Sequence, residues 1–136
     1  MYKIAQILII SGGVLMAAPR MYDKTPAGKI KVFTIPEAVV MESEAASDYF
    51  STSDMLFGNL FRYIRFHEVS MTSPVEAEIE PGTMKFYVGE KDISKNLRDT
   101  LQVQIERIPA REVVAAGISG AYNRKNYETA LSRLYE

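Results

Sequence analysis

The sequence predicts an α+β domain made of two related units, and three observations carry that reading. Short runs of β-branched and apolar residues alternate with polar ones, two stretches show helical spacing, and a set of residues recurs at one offset. Ile35-Pro36, Val40 and Tyr49 return as Ile108-Pro109, Val113 and Tyr122, each 73 residues later, with Ile30/Val103 and Val32/Ile105 as conservative matches. The order of element types repeats with them: a bent strand, a connection, an amphipathic helix. With one extra residue before the second helix, Phe57, Leu60 and Phe61 fall opposite Leu131, Leu134 and Tyr135.

The chain opens with a segment that reads as separate from the fold. Met1 to Lys3 carries one positive charge, and Ile4 to Ala18 is uncharged, mostly apolar and ends in small residues. This is the pattern of a secretory leader, shorter than the roughly 20 residues of a membrane-spanning helix. Residues 1–18 are therefore expected to be a signal peptide and residues 19–136 the folded domain. Export to a periplasmic or extracellular location follows, with no stable membrane span after cleavage. Leu15 or Met16 falls where a small residue is usual before a cut, which leaves an uncleaved membrane anchor as the competing reading.

From Gly28 to Ala45, two β-rich runs bend at Pro36 and read as a strand pair or one bulged strand. Ser53 offers an N-cap, with Asp54 in the first turn, for a helix to about Phe66 whose apolar stripe is Leu56, Phe57, Leu60, Phe61 and Ile64. Asn59, Arg62 and Arg65 lie off that stripe. Val69 to Glu80 reads as a half-buried strand, with Glu76, Glu78 and Glu80 on its solvated face. Pro81-Gly82 turns the chain into a hairpin partner over Thr83 to Gly89. After a polar connection, Leu101 to Ile108 and Val113 to Ile118 are strands and Asn126 to Glu136 is helical. The first unit thus continues into a hairpin, whereas the second stops inside its helix, so a final hairpin of about 20 residues is expected to be missing.

Composition removes several function classes. Sixteen basic residues face 17 acidic ones and the two are interleaved, so no electrostatic footprint for nucleic acid is present. The chain has no Cys and one His, which excludes thiolate chemistry, disulfides and zinc-cysteine sites. No nucleophile elbow, HExxH, phosphate-cradling glycine loop or dinucleotide fingerprint occurs, so the expectation is a binding domain without catalytic machinery of its own.

Two blocks give that domain a family. Leu60-Phe61-Arg62-Tyr63-Ile64 closes the first helix, and Met71-Thr72-Ser73-Pro74-Val75 opens the following strand. Together with Ile35-Pro36-x-x-Val39-Val40 and Ile108-Pro109, they resemble the SOUL haem-binding protein family over roughly Lys29 to Glu136. The resemblance implies a pseudo-twofold pair of βαββ units forming an eight-stranded antiparallel sheet or distorted barrel with two helices. It implies reversible binding of haem, a porphyrin or a similar flat hydrophobic ligand, for transport, buffering or sensing. The chain departs from the family pattern in the short loop before Met71 and in the missing last hairpin, which in the family helps form the tetrapyrrole groove.

A tetrapyrrole needs apolar area, a cation for its carboxylates and sometimes an axial ligand. Phe57 and Phe61 offer the area, and Arg62 and Arg65 the paired donors. His67, the lone histidine, is the candidate axial ligand. The competing assignments are a helix stripe that is simply core, with both arginines solvated, and a solvent-exposed His67. A different class of function also stays open: an interaction or structural module whose open sheet edge is completed by another chain, including a second copy.

Overall fold

The computed structural model describes residues 19–135, together with the backbone of Lys3–Ile4 and Ile7–Ile10. Its elements in chain order are β1 (Lys3–Ile4), β2 (Ile7–Ile10), β3 (Ile30–Ile35), β4 (Ala38–Glu44), α1 (Tyr49–Phe66), β5 (Val75–Glu78), β6 (Thr83–Tyr87), β7 (Gln104–Ile108), β8 (Arg111–Ala116) and α2 (Arg124–Leu134). The strands form a five-stranded sheet in the order β2-β5-β6-β4-β7 and a three-stranded sheet in the order β1-β8-β3. β1 runs parallel to β8, and every other pairing is antiparallel. This is the expected α+β class; of the two architectures foreseen, the sheets stay open and do not close into a barrel. The leader expected over residues 1–18 lies outside the described residues, apart from the backbone of β1 and β2.

The internal duplication is visible in the strand pairing. β3 of the first unit pairs with β8 of the second, and β7 of the second pairs with β4 of the first. Val32 faces Val114 and Ile105 faces Met41, so adding 73 to the first-unit residue of one pair and subtracting 73 from its second-unit partner returns the other pair. The two units therefore exchange their first strands with identical register. Pro36 explains why the bend separates β3 from β4 instead of folding them into a hairpin: it interrupts the ladder, and the chain passes from one sheet to the other.

α1 begins a turn earlier than the sequence predicts. Asp48, not Ser53, is the N-cap: its carboxylate accepts from the Phe50 backbone N–H at 3.0 Å and from the Ser51 hydroxyl at 2.8 Å. The helix buries Leu56, Leu60, Tyr63 and Ile64 against β4 and β6, where Met41, Met84 and Phe86 meet them. Each such side chain contributes roughly 1.5–3 kcal/mol on burial. Gly82 lets the β5–β6 turn reach the start of this helix, because a Cβ there would stand 2.7 Å from the Tyr49 nitrogen. The strand predicted from Val69 shortens to Val75–Glu78, since Pro74 cannot donate to a ladder; the Thr72 hydroxyl instead donates to the Tyr87 carbonyl at 2.8 Å. A smaller core of Ile35, Val40, Tyr87 and Val113 joins the two sheets.

Among the described residues the second unit has no counterpart of β5 and β6. Consequently α2 buries none of its side chains completely. No helix among the described residues is long and apolar enough to cross a membrane.

Candidate functional site

Helical spacing fixes the geometry of the predicted site. Phe57, Phe61 and Arg65 follow each other at four-residue steps and so form one line along α1, beside the buried stripe. The Phe57 and Phe61 rings stack at 5.6 Å with an interplanar angle of 15°. The Phe57 ring also meets the edge of Phe86 in the core at 5.7 Å, which anchors the pair. Phe57 and Phe61 nevertheless remain 42% and 39% exposed, so the stripe is only partly core. The Arg65 guanidinium lies 5.8 Å from the centre of the Phe61 ring, within cation–π range.

Arg62 is held differently. It donates to the Asn59 side-chain oxygen at 2.8 Å, and Asn59 in turn donates to the Ser43 hydroxyl at 3.1 Å. Neither Arg62 nor Arg65 has a carboxylate partner among the described residues. His67 is the C-cap residue of α1, its backbone N–H closing the last turn and its ring lying 4.2 Å from Tyr63 and 5.0 Å from Phe66. The structure thus brings Phe57, Phe61 and Arg65 together, ties Arg62 to β4 through Asn59, and sets His67 at the end of the helix. Phe66, at 83% exposure, packs on His67 at the end of the helix, away from the Phe57–Phe61 pair, and was not singled out in the sequence.

The acidic strand face is solvated only in part: Glu80 is exposed, whereas Glu76 is not. Glu76 is 1% exposed and accepts from the Tyr22 hydroxyl at 2.5 Å, from the Tyr87 hydroxyl, and from Arg111 Nη2 at 3.2 Å. Arg111 belongs to the three-stranded sheet and Glu76 to the five-stranded one, so the second face of β5 is covered at Glu76. Burial, reinforced by the adjacent Glu76 carboxylate, pushes both tyrosine hydroxyls well above their ordinary pKa. Burial pulls the Arg111 pKa down, but Glu76 outweighs it and keeps the guanidinium charged. The cluster is internally paired, one carboxylate against one guanidinium, and it pins the Tyr22 segment to both sheets. Glu78 keeps half of its side chain in solvent and pairs with Lys85 at 2.9 Å.

A feature that sequence reasoning missed is a cleft of about 400 Å³ between β8 and α2, walled by Phe33, Val113, Tyr127, Leu131 and Leu134. Its signal was present: a second helix with an apolar face and no hairpin predicted to cover it. No group of His, Asp or Glu able to hold a metal ion occurs among the described residues.

A duplicated strand–helix unit with exchanged first strands, two open sheets and two helices define an α+β domain. The SOUL heme-binding protein family matches residues 21–136, nearly the whole chain, and the chain belongs to that family. No curated protein matches it.

Proposed function

We propose that this protein binds a tetrapyrrole across the outer face of α1 and has no catalytic activity of its own. The observation that carries the reading is the stacked Phe57–Phe61 pair, anchored on Phe86, left about two-fifths exposed and overlain by Arg65. A flat macrocycle can lie on such a bed, and a guanidinium without a carboxylate partner suits a propionate. Family membership supports the ligand class. A bound haem would bring a redox-active iron; the residues of the chain provide apolar area, orientation and charge. His67, packed against Tyr63 and Phe66, contributes ring surface to the same end of the helix, and affinity on this reading comes from contact more than from iron ligation.

Titration of the full-length chain with haem and with metal-free protoporphyrin tests this. Saturation at one ligand per chain, with affinities within a few-fold of each other, is the expected result. Binding of haem alone would show that the iron is ligated and that the apolar-bed account is wrong.

The proposal extends to location: the charged start, apolar run and small-residue end of residues 1–18 support export, checked by the N-terminal residue of the secreted protein. One observation favours a second reading, an interaction module. β2 covers the edge of β5 and β1 covers part of the edge of β8, so removal of residues 1–18 would uncover two strand edges for a second chain. Sedimentation of residues 19–136 with and without haem separates the readings: a haem-independent oligomer supports the module.

A further inference from the structure

We infer that the cleft between β8 and α2 is a second ligand site, separate from the aromatic face of α1, and that it takes a single apolar carboxylate of fatty-acid type. The cleft exists because α2 is propped at its ends instead of seated along its length. Near its start, Arg124 pairs with Asp48 at 2.5 Å and Tyr127 packs against Phe50 at 5.9 Å. Near its end, Arg133 donates to the Gly28 carbonyl at 3.2 Å. Between these props Ala130, Leu131 and Leu134 face the cleft. Their counterparts in the first unit are Leu56, Phe57 and Leu60, and there the β5–β6 hairpin fills the matching space with Ala77, Met84 and Phe86. Under α2 the described residues leave it open.

Charge selects the occupant. Among the described residues the lining of the cleft contains no Asp or Glu, and its one charged residue is Lys24 at the rim. Lys24 has no ion pair among the described residues. On its other side Lys24 borders a polar recess of about 340 Å³ that also holds Arg20 and Lys31, with Asp23 its one acid among the described residues, already paired to Arg20 at 3.3 Å. An amphiphile with its apolar part between Leu131 and Phe33 would therefore meet an ammonium where its head emerges. The Thr25 hydroxyl, next in the chain and also in the wall, is buried without a hydrogen-bond partner, an oxygen that a ligand head group can satisfy. Gly117 fixes this rim: a Cβ there would stand 2.1 Å from the Pro26 carbonyl, so the Lys24–Ala27 stretch lies against bare backbone. A volume near the lower end of the roughly 300–1,000 Å³ of small-molecule sites suits one acyl chain. In the full-length chain β1 already pairs with the β8 edge at Val113 and Val114, which disfavours strand addition there.

Calorimetric titration of the full-length protein with decanoate, decanol and decylamine tests the inference. Decanoate is expected to saturate at one per chain and to bind at least tenfold more tightly than either of the others. Lys24→Glu, at an exposed position, should weaken decanoate at least tenfold and leave haem affinity unchanged. Leu131→Trp should fill the cleft and abolish decanoate binding without lowering the thermal midpoint. Equal binding of decanoate and decylamine, wild-type binding by Leu131→Trp, or no decanoate binding would each overturn it. So would a wild-type dimer that Leu131→Trp converts to monomer, which would make a second copy the occupant.

Discussion

Glu76→Gln and Glu78→Gln remove the same charge from neighbouring positions of one strand, and the structure predicts very different costs. Glu76 is fully buried, receives two tyrosine hydroxyls and faces Arg111, whose side chain is 24% exposed. Removing one partner of a buried pair costs about 3–5 kcal/mol; Arg111 keeps some solvent, so the lower end, about 3 kcal/mol, applies. For a domain of this size that corresponds to a fall of about 10 °C in the thermal midpoint. Glu78 is 47% exposed, and Lys85 retains Glu42 at 3.5 Å after its loss, so Glu78→Gln should cost less than about 1 kcal/mol. Urea denaturation of the two variants and the wild type at neutral pH measures the difference. Equal losses, or a Glu76→Gln variant as stable as the wild type, would refute the reasoning that Glu76 joins the two sheets.

Leu60→Ala, at a position with no exposure, should cost about 3 kcal/mol, whereas Arg62→Ala should stay within about 0.5 kcal/mol; equal shifts in urea midpoint would mean the orientation of α1 is wrong. Burial pushes the Asp92 carboxyl up, but its bonds to Lys95 at 2.9 Å and to the Ser70 N–H at 3.0 Å outweigh that and hold it below the ordinary value. Its contribution is therefore present above about pH 4 and is lost as pH falls through the lowered value, so the stability gap between wild type and Asp92→Asn should close in acid; a gap that is constant with pH would contradict this. On the interaction-module reading alone, a chain of residues 19–136 should self-associate more with concentration than the full-length chain, read by sedimentation without haem, because the edges of β5 and β8 are uncovered; a monomer at all concentrations would dismiss that reading.

The parts of the fold that were legible in the sequence are those written in local periodicity and in the repeat. The 73-residue offset carried through to the pairing of Val32 with Val114 and Ile105 with Met41, since duplicated strands keep their apolar pattern and hence their register. What failed was information held by distant partners. Glu76 alternates with apolar neighbours as a solvated residue would, and nothing local reveals that Arg111 and Tyr22 arrive from elsewhere to cover it. The start of α1 was misplaced because Asp48, Ser51 and Ser53 are all competent caps, and the choice is made by Gly82 packing against the Tyr49 backbone. The candidate site was half legible: helical spacing put Phe57 and Phe61 on one stripe and named Arg62 and Arg65 as the cations beside it, but that Arg65 lies over the Phe61 ring and that Asn59 and Ser43 capture Arg62 depend on side-chain packing and on β4.

The most direct test of the central claim is haem titration, followed in the Soret region, of the wild type, a Phe57→Ser/Phe61→Ser double variant, Arg65→Glu and His67→Ala. The stacked pair and Arg65 form the proposed bed, so the double variant should lose at least tenfold in affinity, Arg65→Glu several-fold, and His67→Ala little. Loss of binding in His67→Ala with wild-type affinity in the double variant would contradict the account and place the ligand on the histidine.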